Sequence, residues 1–293
     1  MSSSIWKRRH ARVGSLQEDH PYAEEILEFY NRVLEVQEPI YIKAKTSSIF
    51  DSVSSSSNPS KYCLELDQFS VDRCLDSFDK FFFDIQPILT EILAPVGSRM
   101  MNSSSSKEEL LTAFLKGQSL DAIADELGHN PVQLEFFPQA FLQPIIEALV
   151  EKIVSDITPS VNSLEGDTDS VGHSALCPYC GRKPVLGILE DEPEKKGGQK
   201  LYCSLCAGSW IFPRLTCSAC GEGKAEQLEY HVSETWPHVR VDECKSCLTY
   251  IKVIDMRING HAIPVVDEIA SVDLDLWARD RGLAKYESNL LGL

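Results

Sequence analysis

The chain has 293 residues, 43% of them hydrophobic, and its formal net charge is −16 at pH 7. This length and apolar content suffice for about two domains with hydrophobic cores. The acidic balance argues against a nucleic-acid-binding protein, which needs a basic face to neutralise phosphates.

The N-terminus contains a basic cluster, Lys7, Arg8, Arg9 and Arg12, with no apolar run behind it. It therefore lacks the pattern of a Sec or twin-arginine export signal. No stretch approaches the roughly 20 apolar residues that a membrane span requires. We expect a cytoplasmic chain without a membrane span.

Residues 1–160 are predicted to form an α-helical domain. Apolar residues recur at helical spacing after Pro21, and further helical segments are predicted near 71–93, 107–116, 119–127 and 138–154, with a kink at Pro87. Phe81, Phe82 and Phe83 are expected in the helical core. Cys63 and Cys74 are expected to be ordinary buried or half-buried thiols.

Residues 120–130 resemble the first helix and turn of a DNA-binding helix-turn-helix. The segment that would be the recognition helix, 131–139, has no lysine or arginine, carries Glu135 and is interrupted by Pro138. A helix that enters the major groove needs donors for bases and phosphates. We therefore predict two bundle helices joined by a turn at Gly128.

A polar linker, residues 161–175, precedes four C-x2-C pairs that hold eight of the ten cysteines. Two such pairs complete a tetrahedral four-sulfur metal site. The eight candidate ligands are Cys177, Cys180, Cys203, Cys206, Cys217, Cys220, Cys244 and Cys247. In a cytosolic chain, paired C-x2-C turns favour metal ligation over disulfides. The ligand type suits zinc or iron.

The spacing predicts a tandem repeat, since Cys177 and Cys217 are 40 residues apart and Cys203 and Cys244 are 41 apart. We predict one metal ion in a module at 176–212 and a second in a module at 213–265. Ligation that crosses between the modules remains an alternative, although it breaks the repeat.

Short β-like runs follow the linker, and their size suits rubredoxin-like or zinc-ribbon modules in which a metal replaces a large core. Residues 266–293 are predicted to form a C-terminal helix and tail, with the helix from about Asp267 to Leu283. The predicted fold class is multidomain α+β, with an N-terminal α-helical domain, two tandem metal modules and a C-terminal helix.

Several motifs together resemble the formate dehydrogenase accessory protein family, FdhE. They are Cys-Pro-Tyr-Cys-Gly at 177–181, Tyr-Cys-Ser-Leu-Cys at 202–206, Trp210 and Arg214 before Cys-Ser-Ala-Cys at 217–220, Cys244 to Lys252, and Asp-Glu-Ile-Ala-Ser at 267–271. The resemblance covers about the last 120 residues well and the helical half weakly.

The resemblance implies a cytoplasmic accessory protein for formate dehydrogenase assembly or maturation. Such a protein binds the dehydrogenase catalytic subunit and is not itself an enzyme. It implies two metal ions per chain, zinc or iron, each held by four of the eight cysteines. Trp210 and Arg214 are expected to have structural roles between the modules, and Tyr250 and Lys252 to be strand residues.

Two other functions stay open from the sequence. One is a zinc-ribbon regulator that binds nucleic acid, which the charge balance opposes. The other is a rubredoxin-like electron carrier, which requires iron and leaves the helical half without a role. No phosphate-binding loop, nucleophile elbow or H-E-x-x-H motif indicates an enzyme.

Overall fold

The computed structural model describes residues 3–47, 64–66, 69–101, 104–161, 175–191 and 197–293. The chain divides into two compact units. One, the sheet unit, combines Met1–Glu28 with Ser163–Leu291 and Leu293. The other, the helical unit, comprises Phe29–Asn162 and Gly292.

The N-terminal half is helical, as predicted. Its α-helices are α1 (Ser3–Asp19), α2 (Glu24–Thr46), α3 (Leu75–Ile85), α4 (Ala94–Met101), α5 (Ser104–Leu115), α6 (Asp121–Leu127) and α7 (Pro131–Val161). α3 ends just before a 3₁₀ turn that contains Pro87. Among the described helices, none combines the length and apolarity needed to cross a bilayer.

A cluster of phenylalanine rings forms much of the core of the helical unit. Its members come from α3 and α7 and are Phe78, Phe81, Phe82, Phe137 and Phe141. The ring centroids of Phe78 and Phe141 lie 4.8 Å apart. The prediction for Phe83 is wrong, because its side chain is 72% exposed. Successive residues of a helix are about 100° apart, so three consecutive side chains cannot all face one core.

The helix-turn-helix look-alike forms α6, a turn and the start of α7. Gly128 takes a left-handed conformation (φ 66°) at the turn, which glycine adopts without strain. The predicted pair of bundle helices is confirmed. The predicted interruption at Pro138 is wrong, since α7 is continuous from Pro131 to Val161. A proline inside a helix costs about 3 kcal/mol of stability because it removes a backbone hydrogen bond. Burial of side chains from Leu134 to Val150 offsets this cost.

Cys74 is fully buried, as predicted, and burial raises the pKa of its thiol to about 12. Cys63 lies outside the described residues, as do residues 162–174 of the predicted linker.

The described strands of the sheet unit form one seven-stranded sheet. Its strands are β1 (Pro184–Glu190), β2 (Gly198–Cys203), β3 (Ser209–Ile211), β4 (Leu228–Val232), β5 (Val239–Cys244), β6 (Thr249–Asp255) and β7 (Ala284–Lys285). The order is β3-β2-β1-β6-β5-β4, and β7 also pairs with β6. The β1–β6 and β6–β7 pairs are parallel, while the other pairs are antiparallel.

The parallel β1–β6 pair joins the two predicted modules. Each module contributes three strands, and the pairing of Leu186–Leu189 with Lys252–Asp255 makes them one sheet. On one face, side chains from both modules share a core, formed by Leu189, Leu201, Phe212, Ile251 and Val253. The repeat is therefore present locally, but its two copies are structurally continuous.

Two short helices, α8 (Pro264–Ala270) and α9 (Val272–Asp280), follow β6 in place of the single C-terminal helix that was predicted. Ser271 separates them with ψ 41°, outside the helical region. Its hydroxyl donates to the Asp267 carbonyl oxygen at 2.8 Å. Such back-bonding by serine is known to bend helices.

Asp267 joins α8 to α1. This contact explains why residues 1–28 belong to the sheet unit. The sequence analysis had placed residues 1–160 in one helical domain. The Arg12 guanidinium binds both oxygens of the Asp267 carboxylate, at 3.0 and 2.5 Å. His238 Nε2 lies 2.7 Å from the same carboxylate. Burial alone would raise the pKa of Asp267, but hydrogen bonds from His238 and Arg12 lower it.

A buried charge network holds α8 and α9 on the sheet. Lys252 of β6 is fully buried, and its Nζ lies 2.6 Å from Asp275 and 3.1 Å from Glu268. Lys285 also pairs with both carboxylates. Burial opposes ionisation of Glu268, but the two lysines lower the pKa of this carboxyl to about 2. The network balances two cations against two anions away from water.

We expect Glu268→Gln to destabilise the sheet unit by about 3–5 kcal/mol, because two buried lysines would then share one carboxylate. Urea denaturation followed by circular dichroism measures the loss. The matched control is Asp84→Asn, which breaks the exposed Lys80–Asp84 pair and should cost less than about 1 kcal/mol. Equal effects of the two substitutions would show that the buried network contributes no more than a surface ion pair.

Candidate metal centres

The first cysteine cluster consists of Cys177, Cys180, Cys203 and Cys206, whose sulfur atoms all lie within 4.8 Å of one another. The Sγ atoms of Cys177 and Cys206 are 3.5 Å apart, and those of Cys180 and Cys203 are 3.4 Å apart. All four side chains are buried. Residues from two ends of the first module thus meet at one point.

Backbone amides surround the sulfur atoms of this first cluster. The N–H groups of Leu205 and Cys206 both donate to Cys203 Sγ at 3.4 Å, and that of Gly208 donates to Cys206 Sγ at 3.4 Å. Such N–H···S bonds stabilise thiolates and orient them. A Cβ at Gly208 would lie 2.6 Å from the Tyr179 ring, so a larger residue there would disturb this turn.

The second cysteine cluster consists of Cys217, Cys220, Cys244 and Cys247, also within 4.8 Å of one another. The Sγ pairs Cys217–Cys247 and Cys220–Cys244 are each 3.7 Å apart. This cluster is more open, since Cys220 is exposed and Cys217 and Cys247 are half-buried.

The two clusters repeat the same local backbone geometry. Gly181 and Gly221 each take φ 77° directly after the second cysteine of a pair. Each donates its N–H to the carbonyl of the first cysteine, at 2.9 and 3.0 Å. After the later pairs, Ala207 and Leu248 both take a left-handed conformation. The turns therefore show the repeat that was predicted from the spacing. The eight sulfurs group within each module and do not form the crossed arrangement.

Both clusters have the dimensions of a four-sulfur metal site. Ligands about 2.3 Å from a tetrahedral metal lie about 3.8 Å from each other, near the shortest distances in each cluster. A disulfide would require about 2.05 Å between two sulfurs, which is much shorter than the 3.4–3.7 Å between the nearest sulfurs of the two clusters. The donor set fits zinc or iron, and it does not distinguish them.

The histidines near the cysteines have other partners. His231 Nε2 lies 2.8 Å from Glu243, and His238 binds Asp267 as described above. His173 lies outside the described residues. A third group, Glu229, His231 and Glu243, is also compact enough for a metal, but Lys245 pairs with Glu229 and His231 with Glu243.

Other residues singled out from the sequence take different positions. Trp210 packs against the shared apolar core and pairs with Leu201 across β2 and β3, in line with a structural role. Arg214 is exposed and lines a cavity in the sheet unit. Tyr250 and Lys252 lie in β6 as predicted. The Tyr250 hydroxyl donates to Asp275 at 2.8 Å, and Lys252 pairs with the same carboxylate. The sequence analysis missed the part of both residues in the buried charge network, although a lysine within an apolar strand was its signal.

The chain is similar to known proteins over the residues that form both clusters. Residues 176–214 match the family model described as "FdhE, central domain", and residues 215–291 match "FdhE, C-terminal domain". The resemblance to the FdhE family is confirmed. The boundary between the two FdhE domains falls between the two cysteine clusters, so each domain carries one of them.

Relatives extend the match to the rest of the chain. A "Protein FdhE homolog" from Aquifex aeolicus is 29% identical over 289 residues, covering 96% of this chain and 93% of that protein. One from Pseudomonas aeruginosa is 33% identical over 131 residues, 43% of this chain and 42% of that one. The crystal structure of the Pseudomonas aeruginosa FdhE protein has the same fold, with a TM-score of 0.67 at 22% identity over 98% of this chain and 95% of that one.

We predict that purified chain contains two metal ions and that Cys177→Ser or Cys217→Ser each lowers the content to about one, because loss of one thiolate breaks a closed site. Inductively coupled plasma mass spectrometry measures the content. Cys74→Ala, which removes a buried thiol outside both clusters, should retain two ions. Two ions in either serine variant would contradict the ligand assignment.

The second cysteine cluster should lose its metal first, because its sulfurs are more accessible than those of the first. A chromogenic chelator in excess should release metal in two phases of about one ion each. Cys217→Ser should abolish the fast phase and Cys177→Ser the slow one. A single phase, or loss of the fast phase in Cys177→Ser, would contradict this order.

Proposed function

We propose that this FdhE-family chain is an accessory protein for formate dehydrogenase assembly or maturation, and that its sheet unit binds the dehydrogenase catalytic subunit. The proposal includes two metal ions per chain, zinc or iron, and action in the cytoplasm. It rests on one observation above all, which is that the residues matching both FdhE domains converge into two four-cysteine clusters.

The donor set supports a binding protein over a metalloenzyme. Four thiolates fill a tetrahedral site and leave no coordination position for water or substrate. Such a metal supplies folding energy, because it ties together turns that a small module cannot hold by apolar packing alone. In this chain the cysteine-containing turns adjoin the strands of the sheet, so the metals would stabilise a protein-binding surface.

The charge of the chain supports a protein client in preference to nucleic acid. The formal net charge is −16, and basic side chains of the sheet unit such as Arg12, Lys252 and Lys285 are engaged by buried carboxylates. Groups that are already paired inside the fold cannot neutralise phosphates. The electron-carrier alternative depends on iron and would be recognised by a visible absorption band that bleaches reversibly on reduction.

Anaerobic affinity purification of the tagged full chain from its own host tests the proposal. Mass spectrometry should identify the formate dehydrogenase catalytic subunit among the captured proteins when that enzyme is expressed. Cys177→Ser and Cys217→Ser should lower the recovery of the subunit at least tenfold, and Cys74→Ala should not. Recovery of the bait alone, while the dehydrogenase is present in the lysate, would overturn the proposed function.

A further inference from the structure

The edge strand β4 is the repeat counterpart of β1. Leu201 and Asp242 each lie two residues before a metal-site cysteine, and they pair with Gly187 of β1 and Tyr230 of β4 respectively. The other edge of β1 pairs in parallel with β6. Among the described strands, none pairs with the corresponding edge of β4. The second module therefore has an open edge at the place where the first module receives a strand.

The backbone of β4 is oriented to accept such a strand. The Lys245 N–H donates to the Gln227 carbonyl at 2.9 Å. The alternation of an antiparallel ladder then directs the N–H and C=O groups of Leu228, Tyr230 and Val232 away from β5. In β1 the equivalent position of Val232 is Leu189, whose carbonyl accepts a hydrogen bond from Met256 just after β6.

On the face of the sheet that carries Tyr230 and Val232, the side chains of this edge are apolar and exposed, while the opposite face of the strand carries Glu229 and His231. Tyr230 is 63% exposed and Val232 is 70% exposed. Proteins usually protect an open edge with charges, proline or a bulge, because it otherwise pairs with other chains. An open edge that displays tyrosine and valine indicates a surface that another chain covers.

A cavity of about 330 Å³ lies beside β4 on one face of the sheet. Its lining includes Arg214, Leu215, Tyr230, Asp242 and Gln199. Gln199 is only 5% exposed, and its Oε1 has no hydrogen-bond partner among the described residues. A buried polar atom without a partner costs about 1–3 kcal/mol, so the cavity offers an acceptor that a ligand with a donor would satisfy.

We propose that β4 and this cavity dock an extended segment of the client protein. The segment adds to the sheet parallel to β4, as β6 adds to β1, and places in the cavity an aromatic side chain that carries a hydrogen-bond donor, tyrosine or tryptophan. Backbone hydrogen bonds supply affinity in such strand addition, and the side-chain pocket supplies specificity. This inference rests on the proposed function, since the client is the dehydrogenase catalytic subunit.

A second copy of the chain fits the edge less well. By the logic of the repeat, the strand from another copy would be its β3, the counterpart of β6. β3 has three residues, whereas β6 has seven and forms four residue pairs with β1. A three-residue partner leaves most of the outward groups of β4 without hydrogen bonds, which favours a segment from a different protein.

Binding of the purified formate dehydrogenase catalytic subunit to the full metal-loaded chain tests the site, with the dissociation constant measured by biolayer interferometry under anaerobic conditions. Tyr230→Pro removes an outward N–H that the ladder does not use, and Leu215→Glu places a charge at the cavity rim. Each should weaken binding at least tenfold. Leu276→Glu changes a half-exposed leucine on α9 and should bind like the unmodified chain.

Two further measurements separate binding from folding. Gln199→Leu should weaken binding while leaving the thermal midpoint of the free chain equal or higher, because it removes an unsatisfied buried amide. Hydrogen exchange of the unmodified chain should slow at residues 228–232 when the subunit binds. Two metal ions per chain in every variant would show that both cysteine clusters remain intact.

The outcomes are distinct. If the unmodified chain binds the subunit and the variants bind equally well, or exchange at 228–232 is unchanged, the docking site is overturned and the proposed function stands. If the unmodified chain does not bind the subunit, the proposed function fails. Concentration-dependent self-association that Tyr230→Pro abolishes would assign the edge to a second copy and overturn the client assignment.

Discussion

The parallel pairing of β1 with β6 is the interaction on which the sheet unit depends. A three-stranded module with one four-cysteine cluster is too small to bury much apolar surface by itself. The pairing places Leu189 and Leu201 of the first module against Ile251 and Val253 of the second, so that each module completes the core of the other. The turns that carry the cysteines are then anchored to one sheet. Metal ligation and apolar packing consequently stabilise the same set of strands.

The opposite face of the sheet is held by charge. Lys252 is fully buried between Glu268 and Asp275, and Asp267 receives both Arg12 and His238. Removal of one partner from such a contact leaves an unpaired charge away from water and is strongly destabilising. These contacts join α1 to α8, and α8 and α9 to the sheet. The motifs that carried the family resemblance, around Tyr250–Lys252 and Asp267–Ser271, meet in these networks.

Local features could be predicted from the sequence, and long-range ones could not. The cysteine spacing favoured the observed grouping into two clusters, because the four C-x2-C turns recur as a tandem repeat with about 40 residues between equivalent cysteines. The pairing of β1 with β6 joins strands more than 60 residues apart, and no local pattern specifies it. The assignment of α1 to the sheet unit depends on Arg12 meeting Asp267, 255 residues later. The interruption predicted at Pro138 is wrong because burial of side chains along α7 outweighs the low helix propensity of proline.

The two modules differ in a way that bears on their roles. The first has buried cysteines, and its strand β1 is covered on both edges by β2 and β6. The second has the more exposed cysteines, and its strand β4 is paired on one edge among the described strands. Under the proposed docking, a repeat that is closed in one copy and open in the other would separate a structural task from a binding task. Since Cys217 and Cys244 line the same cavity as Tyr230, a strand docked on β4 would also cover the half-buried Cys217 of the second cluster. Client binding and metal retention in the second module would then be thermodynamically linked, each strengthening the other by the same factor.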